Sequence, residues 1–130
     1  MTRTAKVLAS AALVAALVGT MPMPAQARSG DVTKKGSCSA ASTWKLKLRP
    51  EDGGRIQVEY EVDSNKAGQT WHVRIVQNGT RIFAGKRVTK APSGSFTVHV
   101  LTDGQKGTDA IKAKAANVSS GETCLGRASI

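Results

Sequence analysis

The run Trp44-Lys45-Leu46-Lys47-Leu48-Arg49 leads into Pro50-Glu51-Asp52-Gly53-Gly54, and beyond Arg55 comes Ile56-Gln57-Val58-Glu59-Tyr60-Glu61-Val62-Asp63. Apolar and polar residues alternate on both sides of a Pro/Gly-rich break, the pattern of two half-buried strands joined by a turn. Side chains repeat every second residue along a strand, so the register can be tested by parity. With Arg49 opposite Arg55, Leu48 meets Ile56, Leu46 meets Val58 and Trp44 meets Tyr60, and every apolar pair falls on one face. Lys45 then faces Glu59 on the other side, an opposite-charge pair worth a few tenths of a kcal/mol.

The same period continues downstream. Trp71-His72-Val73-Arg74-Ile75-Val76-Gln77 and Thr80-Arg81-Ile82-Phe83-Ala84-Gly85 flank Asn78-Gly79, the strongest short-range hairpin signal. A two-residue turn places Ile75 opposite Ile82 and Val73 opposite Ala84 inside, with Arg74 opposite Phe83 outside, where guanidinium and ring stack. After the turn at Ala91-Pro92-Ser93-Gly94, a further strand directs Phe96, Val98 and Val100 inward and Thr97 and His99 outward. The last pair covers residues 110–115 and 122–129, with Ile111, Ala113 and Ala115 as a small inner stripe. Seven evenly spaced strands without an amphipathic helix predict an all-β fold, a seven-stranded antiparallel β-sandwich over residues 43–130.

Upstream of this domain, Arg3 and Lys6 precede an uncharged Ala/Val/Leu run of 13 residues (7–19), and Ala25-Gln26-Ala27 supplies an A-x-A cleavage pattern. These features predict a secretory signal peptide over 1–27, cleaved after Ala27, and an extracellular protein. Spanning a bilayer takes roughly 20 apolar residues, so no transmembrane anchor is expected after cleavage. Cleavage removes Arg3 and Lys6 and no acidic residue, lowering the charge from +10 to +8. Residues 28–42 are small and polar and read as a flexible N-terminal segment. Cys38 and Cys124 are the only cysteines, and in an oxidising compartment they predict one disulfide. Closing so long a loop contributes on the order of 4 to 5 kcal/mol at most.

Residue patterns for catalysis are missing. His72 and His99 fall on the outward parity of strands, and no G-x-S-x-G elbow marks a nucleophile. Glu59 and Glu61 lie about 7 Å apart on one strand face, near the carboxylate separation of an inverting glycosidase. They face lysines across the hairpin, however, and read as a solvated surface. The segment 103–109 has the Asp and Gly of a calcium loop but places Gln105 third and Lys114 twelfth, where oxygen ligands are required. Asn78-Gly79-Thr80 and Asn117-Val118-Ser119 match the glycosylation sequon and read as turns. No catalytic, metal or cofactor residue is assigned, no cofactor is expected, and the chain reads as non-enzymatic.

The strand count, Trp71 at the start of the third strand and the Asn78-Gly79 hairpin after it resemble the immunoglobulin-like and fibronectin-III-like superfold across residues 44–129. True immunoglobulin domains bridge their second and sixth strands, whereas Cys38–Cys124 would tie the entry of the first strand to the last. The Ala-rich leader and the run 44–54 look like short secreted proteins of high-GC Gram-positive bacteria. That resemblance implies compartment and fold and no mechanism.

One asymmetry remains. Between Asp63 and Asp103 there is no acidic residue, while Lys66, Arg74, Arg81, Lys86, Arg87 and Lys90 contribute six positive charges. Arg74, Arg81, Lys86 and Arg87 on the Asn-Gly hairpin are therefore candidate polyanion contacts. The expected partner is an anionic cell-wall polymer or an acidic protein surface. Nucleic acid is not expected for an exported protein with few exposed aromatics, and the chain reads as a monomer. A reading from another class is a secreted inhibitor of an extracellular hydrolase, inserting loop 64–68 or 102–108 into its target.

Overall fold

Alternation of the kind just described underlies seven of the eight strands in the computed structural model, which describes residues 30–130. They are β1 (Val32–Ser37), β2 (Thr43–Glu51), β3 (Arg55–Asp63), β4 (Thr70–Gln77), β5 (Thr80–Val88), β6 (Ser95–Asp103), β7 (Ala110–Asn117) and β8 (Thr123–Ser129). Two four-stranded sheets form, β1-β2-β3-β6 and β5-β4-β7-β8, and every pairing is antiparallel. Their inner faces bury Leu46, Leu48, Val58, Tyr60 and Val62 from one sheet against Trp71, Ile75, Ile111, Ala113 and Ala115 from the other. Among the described residues no helix is long and apolar enough to cross a membrane. The predicted signal peptide lies outside the described residues.

The eighth strand is β1, where the sequence reads as a flexible segment. Residues 32–37 offer little apolar alternation, but they lie along β2 with Val32 opposite Leu48 and Gly36 opposite Trp44. An edge strand held by backbone hydrogen bonds needs only one face that fits, and Gly36 provides it: a Cβ there would stand 2.6 Å from the Trp44 indole. On the indole's other side lies Gly126 of β8, where a Cβ would come within 2.8 Å of the ring. The same seam carries the Cys38–Cys124 disulfide across an 86-residue separation. Tyr60 reinforces it, its hydroxyl donating to the Cys124 carbonyl at 2.8 Å. Cys38 thus follows the first strand, and the bridge joins the β1–β2 connection to the last strand.

Both predicted hairpins shift, with different consequences. In the first, Pro50 remains in β2 opposite Ile56, so the turn shrinks to Asp52–Gly54 and Glu51 meets Arg55. Pro50 lies beyond β1, whose pairing stops at Leu48, so its missing N–H interrupts no ladder on that side. The register moves by two residues, parity is kept, and every apolar residue stays inside. The charge pairs become Lys45–Glu61 and Lys47–Glu59. In the second hairpin a bulge between Ile75 and Val76 adds one residue to β5, and a one-residue slip exchanges the faces. Ile75 now meets Phe83 and Val73 meets Gly85, while Ala84 turns outward opposite Arg74. A regular strand cannot turn two consecutive residues inward; the bulge lets both Ile82 and Phe83 pack against the core.

Candidate polyanion-binding face

The bulge and the strand order decide which basic side chains share a surface. In β4, exposed His72 and Arg74 alternate with buried Trp71, Val73 and Ile75. In β7, exposed Lys112 and Lys114 alternate with buried Ile111, Ala113 and Ala115. In β8, exposed Leu125 and Arg127 alternate with buried Cys124, Gly126 and Ala128. Three rows therefore cross the outer face: Lys86-His72-Ala116-Thr123, Ala84-Arg74-Lys114-Leu125 and Arg81-Val76-Lys112-Arg127. With strands about 4.8 Å apart, the face is about 14 Å across.

The four strands of this sheet hold seven Lys and Arg residues and no Asp or Glu. Arg74 stands directly opposite Lys114, and Lys112 directly opposite Arg127, arrangements that destabilise a sheet by like-charge repulsion. Near the middle of the face lies a depression of about 300 Å³, walled by His72, Arg74 and Lys114 and floored by Ala84, Gly85 and Ala116.

Of the four predicted contacts, Arg74, Arg81 and Lys86 come together here and Arg87 does not. Past the bulge Arg87 pairs with buried Trp71 and so points to the inner side. Its guanidinium stacks 4.9 Å from the Phe83 ring centroid and donates through Nη1 to the Lys86 carbonyl at 2.8 Å. The predicted cation–π partner of Phe83, Arg74, is replaced by Arg87. Lys112, Lys114 and Arg127 complete the face, and sequence reasoning missed them. Their outward parity is visible beside Ile111, Ala113 and Ala115; that β7 lies next to β4 is a long-range fact with no local signal.

The remaining candidates are occupied by the fold. His99 lies 3.7 Å from Glu59 through Nδ1 on the other sheet. A depression between residues 39–42 and 120–122 contains the Glu122 carboxylate, which accepts from the Ala40 N–H at 3.0 Å, the Ser42 N–H at 2.9 Å and the Ser42 hydroxyl at 2.7 Å. Burial alone would raise its carboxyl, but these hydrogen bonds and the nearby Lys66 charge outweigh that and hold it below the ordinary range. In segment 103–109, buried Asp109 receives the Gln77 amide at 2.8 Å and the Gln105 N–H at 3.1 Å, closing the loop with no open carboxylate set. Loop 64–68 is likewise held, with Lys66 O accepting from the Thr89 hydroxyl at 2.6 Å. The two loops proposed for inhibition sit at opposite ends of β3, since Asp63 pairs with Ser95 and Arg55 with Asp103. Comparison with protein families, curated proteins and solved structures returned no match.

Proposed function

We propose that this chain is a non-enzymatic, secreted binding module that contacts anionic cell-envelope polymers through the outer face of β5-β4-β7-β8. The observation that carries the reading is the segregation of charge: an outer face with six cationic side chains and no carboxylate from its four strands. Such a surface attracts polyanions and weakens as salt screens it. The disulfide supports the extracellular assignment, since paired thiols persist in oxidising compartments. The order β2-β3-β6 against β5-β4-β7-β8 supports an immunoglobulin-like identity, corresponding to A-B-E against C′-C-F-G, with Trp71 on the third strand of that scheme and β1 added at the edge.

The test is retention of the purified protein on anionic wall polymer. Retention is expected to fall steeply with added salt and to be lost in Arg74→Glu/Arg81→Glu. Retention that ignores salt, or survives the double reversal unchanged, overturns the reading. Inhibition of a hydrolase has no comparable observation behind it, because both of its candidate loops are tied into the fold.

A further inference from the structure

We infer that the depression in the basic face is a seat for one tetrahedral oxyanion, the phosphoryl group of a phosphodiester-linked polymer, with His72, Arg74 and Lys114 as donors. This rests on the polyanion reading and deepens it from charge attraction to a defined subsite. The depression exists because two outward positions are truncated: Ala84 sits opposite Arg74 and Ala116 opposite His72. Longer side chains there would fill the rows. The three long donors instead stand around an alanine and glycine floor.

The donor set matches phosphate better than carboxylate. Arg74 offers a planar fork for two oxygens, and the Lys114 ammonium and the His72 ring offer single donors from different directions. These donors converge from different directions and suit the tetrahedral phosphodiester, whose two charged oxygens and two weakly accepting ester oxygens point to separate corners, where a carboxylate presents both of its oxygens in one plane. Arg74 and Lys114, opposite one another at Cβ distances near 5 Å, repel until an anion lies between them. No acidic side chain stands in any of the three rows to compete for them. The three rows of the face carry no Phe, Tyr or Trp on which successive bases would stack, which favours a polymer recognised by its phosphates over single-stranded nucleic acid.

The experiment is a titration of the full chain with inorganic phosphate, followed by backbone amide NMR, with parallel retention on poly(glycerol phosphate) and on polyglutamate. Saturable shifts centred on Ala84, Gly85 and Ala116 are expected. Ala116→Leu, which fills the seat without changing charge, should weaken phosphate about tenfold, the loss of roughly one charge-assisted hydrogen bond. It should also abolish any preference for the phosphate polymer over polyglutamate. Ala84→Leu, on the other side of the seat, should do the same, and Thr97→Leu on the opposite sheet should do neither. Thermal melts confirm that each variant folds.

Diffuse shifts over Lys112 and Arg127, or an unchanged phosphate affinity in both leucine variants, overturn the subsite while leaving the face a polyanion binder. Absence of retention on both polymers overturns the broader reading, and a saturable, leucine-sensitive phosphate response in that case still upholds the seat. Binding to anionic phospholipid vesicles with none to the soluble polymer assigns the phosphoryl group to a lipid headgroup and overturns the polymer.

Discussion

On the outer face of β1-β2-β3-β6, Lys47 stands opposite Glu59 and Lys45 opposite Glu61; on that of β5-β4-β7-β8, Arg74 stands opposite Lys114 and Lys112 opposite Arg127. Both sheets alternate apolar and charged residues, and both spend lysines on solvent. They differ in what occupies the neighbouring strand. The first sheet's strands carry six Lys and Arg with five Asp and Glu, and Asp31 adds ion pairs to Lys47 at 3.7 Å and Arg49 at 3.6 Å. The second sheet's strands carry no carboxylate. Solubility requires net charge but not its sorting by face, and the first sheet shows that this fold can mix signs. The first face also holds one like-charge pair, Lys35 opposite Lys45, but Glu61 stands on the other side of Lys45 and offsets it. The two like-charge pairs of the second face have no carboxylate beside them, and this difference is what the proposed polyanion reading turns on.

The largest change expected is one that removes the frame displaying both faces. Cys38→Ser/Cys124→Ser releases the seam between the β1–β2 connection and β8, and is expected to cost on the order of 4 kcal/mol, read as a large fall in the denaturation midpoint. Both faces should suffer equally; a stable double-serine variant would show that Trp44, Gly36, Gly126 and Tyr60 hold the seam alone.

Charge reversal separates the faces. Lys112→Glu/Lys114→Glu should weaken polymer retention at low salt on the order of 100-fold, while Lys45→Glu/Lys47→Glu, an identical change in net charge, should alter it only a few-fold. Equal losses from the two pairs would mean that net charge alone attracts the polymer and that the distinction between faces has no functional content.

How much of this was legible beforehand differs by scale. Periodicity of two fixes which side of a strand each residue takes, so the buried set from Leu46 to Val62 emerged despite a hairpin register wrong by two. It failed where parity itself changed. Nothing local around Ile82-Phe83 announces that both residues pack inward through a bulge, and this sent Arg87 to the wrong face and Ala84 with it. Residues 32–37 gave no strand signal because their order comes from β2 and from the Trp44 indole over Gly36 rather than from their own side chains. The site was half visible: Arg74, Arg81 and Lys86 lie in one hairpin, whereas Lys112, Lys114 and Arg127 join them only through the pairing of β4 with β7 and β7 with β8.

Acid should loosen the seam next, by a smaller amount. Glu122 is held below its ordinary range in the folded state, so its stabilising contribution is present above the unfolded carboxylate range and is lost as pH falls through the folded value. Melting temperature should therefore drop as pH is lowered below about 4, and Glu122→Gln should flatten that portion of the profile while costing about 1 to 3 kcal/mol at neutral pH. The variant sharpens the comparison of faces because it lies on neither: polymer retention at neutral pH should follow only the folded fraction. A profile unchanged by Glu122→Gln would remove Glu122 as the group responsible.

The smallest effect is the most discriminating, because its sign differs between the faces. If the second face tolerates repulsion for the sake of a ligand, relieving it should stabilise the free protein: Lys114→Glu sets a carboxylate opposite Arg74 and should raise stability by a few tenths of a kcal/mol while weakening polymer retention. On the first face, Glu61→Lys sets a lysine opposite Lys45 and should lower stability by a similar amount with little loss of retention. Denaturant titrations at low ionic strength resolve the two directions, and added salt should shrink both. Lys114→Glu that destabilises would mean that Arg74 and Lys114 already avoid each other in solution, and the cost attributed to the unmatched face would not exist.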